Sequence, residues 1–320
     1  MVCCFLSSCG KELEIEINVP DKPKSLVVNS TLVPFNLPIP KHLEIELTSS
    51  QSIFDTLNPP LVNNATVLLY KNNSFVDTLS YDSISKMYPL GYQEPFHGPL
   101  PGDTYEINIL ADGFREISAR TTIPEKVEII SFQIIPVGFI DDLGAAWSEI
   151  VLTFNDPPEK TNYYEIVVGT IDFDPKDYYS LFSYEKVITE ESYYPSPLRI
   201  DLKKPHYLLF KDSSFNGEEK TLSFYYDPPQ FMTDKRYISR HRCNIQLKNV
   251  SEEYYRFKTS YIQGLYDQKE DFLYGMGEPM NVYSNINNGY GIFAGYNDCI
   301  VQFEVEETLI STKLNIRDVE

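Results

Sequence analysis

The feature that most constrains this chain is a rhythm of short alternating apolar and polar stretches, separated by prolines, glycines and asparagines. Residues 13–18, Leu-Glu-Ile-Glu-Ile-Asn, alternate strictly; Leu26-Val27-Val28-Asn29 follows, and the same sign recurs at 42–48, 65–70 and 105–111. A period of two puts successive side chains on opposite faces of a strand, one buried and one wet. Between the runs stand Pro34, Pro38 and Pro40, then Asn58-Pro59-Pro60, Asn72-Asn73-Ser74 and Pro101-Gly102-Asp103, residues that suit turns. Strands so spaced predict a small β-sandwich over 20–124.

Thr121-Thr122-Ile123-Pro124-Glu125 marks a boundary, after which a new alternating run covers 127–135. Residues 148–155 and 163–169 read as strands separated by Asp156-Pro157-Pro158, and 221–226 ends at Asp227-Pro228-Pro229. A second β-rich domain is therefore expected over 125–320, with one helix at about 251–268. Ser251 suits the N-cap, and Glu252 and Glu253 sit in the first turn, where the helix dipole favours acids. Tyr254, Tyr255, Phe257, Tyr261, Ile262 and Leu265 recur at intervals of three and four and read as a packing face. The expected fold is mainly β: two tandem β-sandwich-like, immunoglobulin-like domains, the second carrying one amphipathic helix.

Composition agrees. The 320 residues include 24 Tyr and 19 Phe but 1 Trp, and aromatic side chains fit half-buried pleated surfaces. No apolar run reaches the ~18 residues of a membrane-spanning helix. With 27 Lys+Arg against 46 Asp+Glu the net charge is −19, which excludes a phosphate-tracking nucleic-acid binder as the default.

The chain opens Met1-Val2-Cys3-Cys4-Phe5-Leu6-Ser7-Ser8-Cys9-Gly10 and turns polar at Lys11-Glu12. Leu6-Ser7-Ser8-Cys9 resembles a bacterial lipobox, in which small side chains admit the signal peptidase and the thiol takes a diacylglyceryl group. Cys9 is the expected lipidation site and first residue of the mature protein. Only eight residues precede it, without a basic n-region, so 1–8 is read as a truncated leader or a start placed too late. Residues 9–19 then form a tether whose charged Gly10-Lys11-Glu12-Leu13-Glu14 resembles an export signal to the outer face of the outer membrane. With Cys3 and Cys4 removed and Cys9 acylated, Cys243 and Cys299 remain, expected as two buried free thiols in preference to a bridge.

Toward the end stands Glu278-Pro279-Met280-Asn281-Val282-Tyr283-Ser284-Asn285-Ile286-Asn287-Asn288-Gly289-Tyr290-Gly291-Ile292-Phe293-Ala294-Gly295-Tyr296. This string resembles the closing motif of the Bacteroidota lipoprotein family known as domain of unknown function 4249. Matches in the same order are Leu26-Val27-Val28-Asn29, Asn64-Ala65-Thr66-Val67, Pro101-Gly102-Asp103-Thr104-Tyr105, Phe215-Asn216-Gly217 and Ser251-Glu252-Glu253-Tyr254-Tyr255. The resemblance implies an outer-membrane lipoprotein, often encoded beside a TonB-dependent receptor, and carries no catalytic residues with it. Asn285, Gly289, Gly291 and Phe293 read as a turn and a core plug.

A search for chemistry finds no G-x-S-x-G elbow, P-loop, dinucleotide fingerprint or H-E-x-x-H, so no enzyme activity and no cofactor are expected. His42, His97, His206 and His241 lie far apart, and His241-Arg242-Cys243 stands isolated. Asp141-Asp142 and the loop 172–177 are the densest acids. Asp172, Asp174 and Asp177 come nearest to a Ca²⁺ set but lack the EF-hand pattern and read as solvated. In the pairs Tyr178-Tyr179, Tyr193-Tyr194, Tyr225-Tyr226 and Tyr254-Tyr255, a strand would turn one ring to solvent, where tyrosine makes good contact area. The leading expectation is a non-enzymatic surface lipoprotein docked on an outer-membrane β-barrel, a TonB-dependent receptor. The alternatives are a glycan- or matrix-binding adhesin and, remotely, a carboxylate-dependent hydrolase.

Overall fold

Alternation dictates the first strands. The structure, a computed structural model, describes residues 23–34, 42–52, 55, 57–90, 98–141, 145–170, 178–191, 206–228, 231–233, 236–274 and 281–311. In β1 (Leu26–Leu32) and β2 (Leu43–Ser49) every second side chain is buried, from Leu26, Val28 and Leu32 in the one to Leu43, Ile45 and Leu47 in the other. β3 (Thr66–Lys71), β4 (Ser74–Leu79), the short β5 (Tyr88–Pro89), β6 (Thr104–Leu110) and β7 (Ile117–Thr122) complete the first half. Asn72 and Asn73 turn β3 into β4 at φ of 50° and 66°, a left-handed conformation that asparagine tolerates.

The second half runs through β8 (Ile129–Ile140), β9 (Ala146–Asn155), β10 (Tyr163–Thr170), β11 (Leu181–Phe182), α1 (Lys186–Glu191), β12 (Leu208–Lys211) and β13 (Glu219–Tyr226). It continues with β14 (Phe231–Thr233), β15 (Arg236–Val250), α2 (Glu252–Tyr274) and β16 (Tyr290–Ser311). The molecule is mainly β, as its periodicity predicts. The strand pattern at 13–18 lies outside the described residues.

One eight-stranded sheet serves both halves, in the order β12-β10-β15-β16-β1-β2-β5 with β14 beside β15. Its β16-β1-β2-β5 part faces the sheet β4-β3-β6-β7 across a core that includes Val28, Ile45, Val67, Ile107 and Phe293. Its β12-β10-β15-β16 part faces the sheet β11-β13-β9-β8 across Phe154, Tyr164, Phe210, Phe224 and Ile245. The two sandwiches therefore share a strand. β16 pairs in parallel with β1 from Val27↔Tyr290 to Leu32↔Gly295, then antiparallel with β15 from Tyr296 to Ser311.

This sharing corrects the division at 124–125. Residues 285–295, assigned by sequence to the second domain, close the first, because β1 would otherwise be a bare sheet edge. β16 changes sandwich at Gly295, where an added Cβ would stand 3.1 Å from both the Thr122 carbonyl oxygen and the Ile123 Cα. α2 covers the outer face of the large sheet, with Tyr254 and Tyr255 packed against Leu209, Val250, Ile292 and Ala294. Ser251 caps it, its Oγ accepting the Tyr254 N–H at 3.4 Å. Among the described residues no helix is long and apolar enough to cross a membrane.

Candidate functional site

The closing segment acts as a fastener between β7 and β16. Asn285 donates its side-chain amide to the Phe293 carbonyl at 2.7 Å and to that of Arg120 at 3.3 Å, while its Oδ1 accepts the Phe293 N–H at 3.0 Å. Phe293 is fully buried in the first core. Gly291 has φ of 100°, and a Cβ there would collide with the Val28 carbonyl oxygen, so only glycine lets β16 lie this close to β1. Gly289 lies against the start of the same strand, at Leu26.

Beneath α2 lies a buried charge cluster. Glu165, on β10, is fully buried among apolar neighbours, and its carboxylate accepts from Lys248 Nζ of β15 at 2.8 Å, from Lys258 Nζ of α2, and from the Tyr254 hydroxyl at 3.1 Å. Burial alone would raise its carboxyl, but the two ammonium groups outweigh that and hold it down to about 2. Burial also opposes charge on Lys248, yet the Glu165 carboxylate keeps that ammonium above the ordinary lysine range. The ammonium of Lys258 lies 4.2 Å from the Tyr207 ring centre and that of Lys248 lies 5.1 Å from Tyr296. Asp298 stands opposite Lys248 in register; burial raises its carboxyl, and its buried Oδ1 has no hydrogen-bond partner among the described residues. The Lys258 and Tyr254 contacts join α2 to the sheet, while the Lys248 contact ties β15 to β10 within it, so the cluster docks the helix on a pair of strands that it also braces.

A polar cleft of about 640 Å³ opens where the sandwiches meet. Arg120 and Thr122 line it from the first sandwich, Lys160 and Asn162 from the β9–β10 loop, and Glu252 and Glu253 from the first turn of α2. Its floor is tied down by amides: Asn249 donates to the Glu125 carbonyl at 3.0 Å and Asn297 to that of Pro124 at 3.2 Å, fixing the segment between sandwiches. The loop bearing Phe215-Asn216-Gly217 secures the rim, with the Gly217 N–H on Asp156 at 2.8 Å and the Asn216 amide on the Lys160 carbonyl at 3.0 Å.

A group of aromatic rings gathers on the outer face of the second sandwich, with Tyr184 exposed and Trp147 and Phe182 buried beneath it. Phe182 stacks on Tyr225 at 4.8 Å between ring centres, Trp147 meets Phe182 edge-on at 4.9 Å, and Tyr184 stands edge-on to both Phe182 and Tyr225. Tyr184 is 64% exposed. Phe139 joins the group through a bulge between Ile135 and Phe139, where Val137 takes φ of 58°, an uncommon conformation for a β-branched residue. Two carboxylates flank the rings: Glu149, opposite Tyr225 in register, accepts the Ser223 hydroxyl, and Glu185 accepts the Ser223 N–H at 3.3 Å. Asp141 locks Trp147 by accepting its indole N–H at 3.1 Å.

A family model described as a domain of unknown function, DUF4249, matches residues 12–299. The chain belongs to that family. No curated protein and no solved structure matches it. Motifs that carry the family resemblance fall at fasteners: the Gly102 turn donates its N–H to the Ile123 carbonyl at 2.8 Å, Asp103 pairs with Lys71 at 2.6 Å, and Ser251 caps α2.

Cys9, Asp142, Asp172, Asp174, Asp177 and His97 lie outside the described residues. Cys243 and Cys299 are both buried, and neither forms a disulfide among the described residues. The histidines are not gathered: His42 bonds the Pro34 carbonyl at 3.1 Å in the first sandwich, and His241 shares a 2.8 Å hydrogen bond with Tyr226 inside the second. Among the described residues no three His, Cys, Asp or Glu side chains are grouped to hold a metal ion. Of the tyrosine pairs, Tyr225 faces outward and Tyr226 is fully buried, whereas Tyr254 and Tyr255 are both buried by the helix. Sequence reasoning missed Glu165 and the Phe139–Trp147–Phe182–Tyr184 group. A lone acid inside the run Tyr163–Val168 was the visible signal for Glu165, since a charge in a buried strand requires partners.

Proposed function

We propose that this protein is a non-enzymatic accessory lipoprotein of the outer-membrane surface, anchored by acyl chains on Cys9 and docked on a β-barrel partner, a TonB-dependent receptor. The observation that carries this reading is the outer face of the second sandwich, where Tyr184, Tyr225 and Phe139 gather beside Glu149 and Glu185. Tyrosine and phenylalanine supply contact area at low entropic cost, and flanking carboxylates in a chain of net charge −19 favour a partner surface bearing basic groups. The lipobox Leu6-Ser7-Ser8-Cys9 supports the anchor. Anchoring raises the local concentration beside a membrane partner, so a modest interface suffices.

The test is purification of the full-length tagged protein from gently solubilised outer membrane, beside a Tyr184→Ser/Tyr225→Ser variant. A barrel recovered in near-equal amount with the wild type and lost with the variant is the expected result. A wild-type chain that leaves the membrane alone overturns the docking reading. Replacing Cys9 by Ala is expected to release the protein from the membrane fraction, and protease added to whole cells is expected to cut the wild type.

A further inference from the structure

The first described strand of this fold is an interior strand of its sheet rather than an edge. β1 lies between β16 and β2, with Leu26, Val28 and Leu32 buried in the first core and the Ser30 hydroxyl donating to the Glu44 carbonyl at 2.9 Å. Exposed Lys24 precedes it at the outer end of the first sandwich, where β16 also begins, since Val27 pairs with Tyr290. β16 then runs in the same direction as β1, passes Gly295 and continues as a strand of the second sandwich to Ser311.

This layout fixes how a pull is distributed. When the segment before β1 is drawn one way and the second sandwich is held the other way, β1 is dragged lengthwise past β16 and β2. Six register pairs to β16 and seven to β2 lie beside that path, and their hydrogen bonds run across the pull. They stretch together, so β1 slides only when both ladders and its buried side chains yield at once. An antiparallel pair pulled apart from one end opens one bond at a time. Gly291 tightens the arrangement by bringing β16 against Val28, and Asn285 ties β16 to the Arg120 carbonyl on β7.

We infer that the protein has a mechanical function: it carries tension between its N-terminal tether and its second sandwich, through shear of β1 against β16 and β2. This rests on the anchored, docked reading for its role in the cell, because a membrane tether and a docked second sandwich are the two points of pull. The mechanical property belongs to the fold itself.

The experiment is single-molecule force spectroscopy on the full chain, made without acyl groups so that its outcome is independent of lipidation and docking. Handles are attached through non-canonical amino acids, leaving the cysteines untouched. One pair, at Lys24 and exposed Ala145, pulls along β1 against the second sandwich. The other, at Lys24 and exposed Gln51, pulls apart the end where β1 and β2 meet, since Leu26 pairs with Ser49. The first unfolding force is expected to be several-fold higher with the Lys24–Ala145 pair. Equal forces, or a lower force along that axis, overturn the inference. Both geometries use the wild-type core, so neither result depends on a variant that fails to fold.

Discussion

Glu165 is fully buried, and the ammonium groups of Lys248 and Lys258 hold it ionised, so its pairing contributes directly to stability. Removing the one acid leaves two ammonium groups without their buried partner, so Glu165→Gln is expected to cost about 3–5 kcal/mol in urea unfolding at neutral pH. The acid dependence follows from its sign. Glu165 is ionised in the folded state down to about 2 but protonates near 4.5 when unfolded, so the stability it contributes is present above 4.5 and lost as the pH falls toward 2. His241 works in an earlier window: burial lowers it to about 4 from 6.5, so between those values the unfolded chain takes up a proton that the folded chain refuses, and stability falls on acidification. Urea midpoints against pH should separate the two. The difference between wild type and His241→Gln should change between pH 6.5 and 4, and that for Glu165→Gln between 4.5 and 2. A His241→Gln difference that stays flat across its window would sink the histidine assignment.

At the scale of elements, α2 is held at its start by one side chain that serves two segments. The Ser251 Oγ accepts the Tyr254 N–H and also the Gly295 N–H, each at 3.4 Å, so the cap of the helix is also a tie to the crossing point of β16. Ser251→Ala is expected to cost about 1 kcal/mol, read as a lowered urea midpoint, with Ser251→Asn restoring part of it. The helix was legible from its cap and its intervals of three and four, β2, β3, β6, β9 and β13 from alternation, because each of these strands has one dominant core face, and β10 from its apolar run between prolines and turns, since it is buried on both faces. For β16 the glycines at 289 and 291 signalled a turn feeding a terminal strand, but alternation did not mark it, for a physical reason: Phe293 faces the first core while Ile292 and Ala294 face α2, so burial on both sides erases the pattern. Its pairing with β1 spans most of the chain, and no local pattern encodes a partner so distant. The charge cluster was hidden in the same way, since Lys248 and Lys258 lie 83 and 93 residues from Glu165. The aromatic face was half visible: Tyr225 follows from strand alternation, but Phe139 reaches it through the bulge at Val137, which breaks the register.

For the whole molecule, the shared strand decides whether two sandwiches mean two folding units. A chain with separate cores joined by a flexible linker unfolds in two steps, each blind to mutations in the other. Here β16 contributes Phe293 to one core and packs Val301 and Phe303 against the other, while Asn249 and Asn297 grip the connecting segment at Glu125 and Pro124. Losing the first sandwich strips β16 of its β1 partner along Tyr290–Gly295, so the second loses the support of the strand at its own sheet. The single tryptophan, Trp147, is buried on β9 in the second sandwich and reports that half alone. Leu47 is buried on β2 in the first. Leu47→Ala should remove about 2–5 kcal/mol through the cavity it leaves. With one cooperative unit, that loss moves the urea transition followed by Trp147 emission by the same free energy as the transition followed by far-ultraviolet circular dichroism. A Trp147 transition unmoved by Leu47→Ala would mean that the sandwiches unfold independently and that β16 joins them in space without joining their stability.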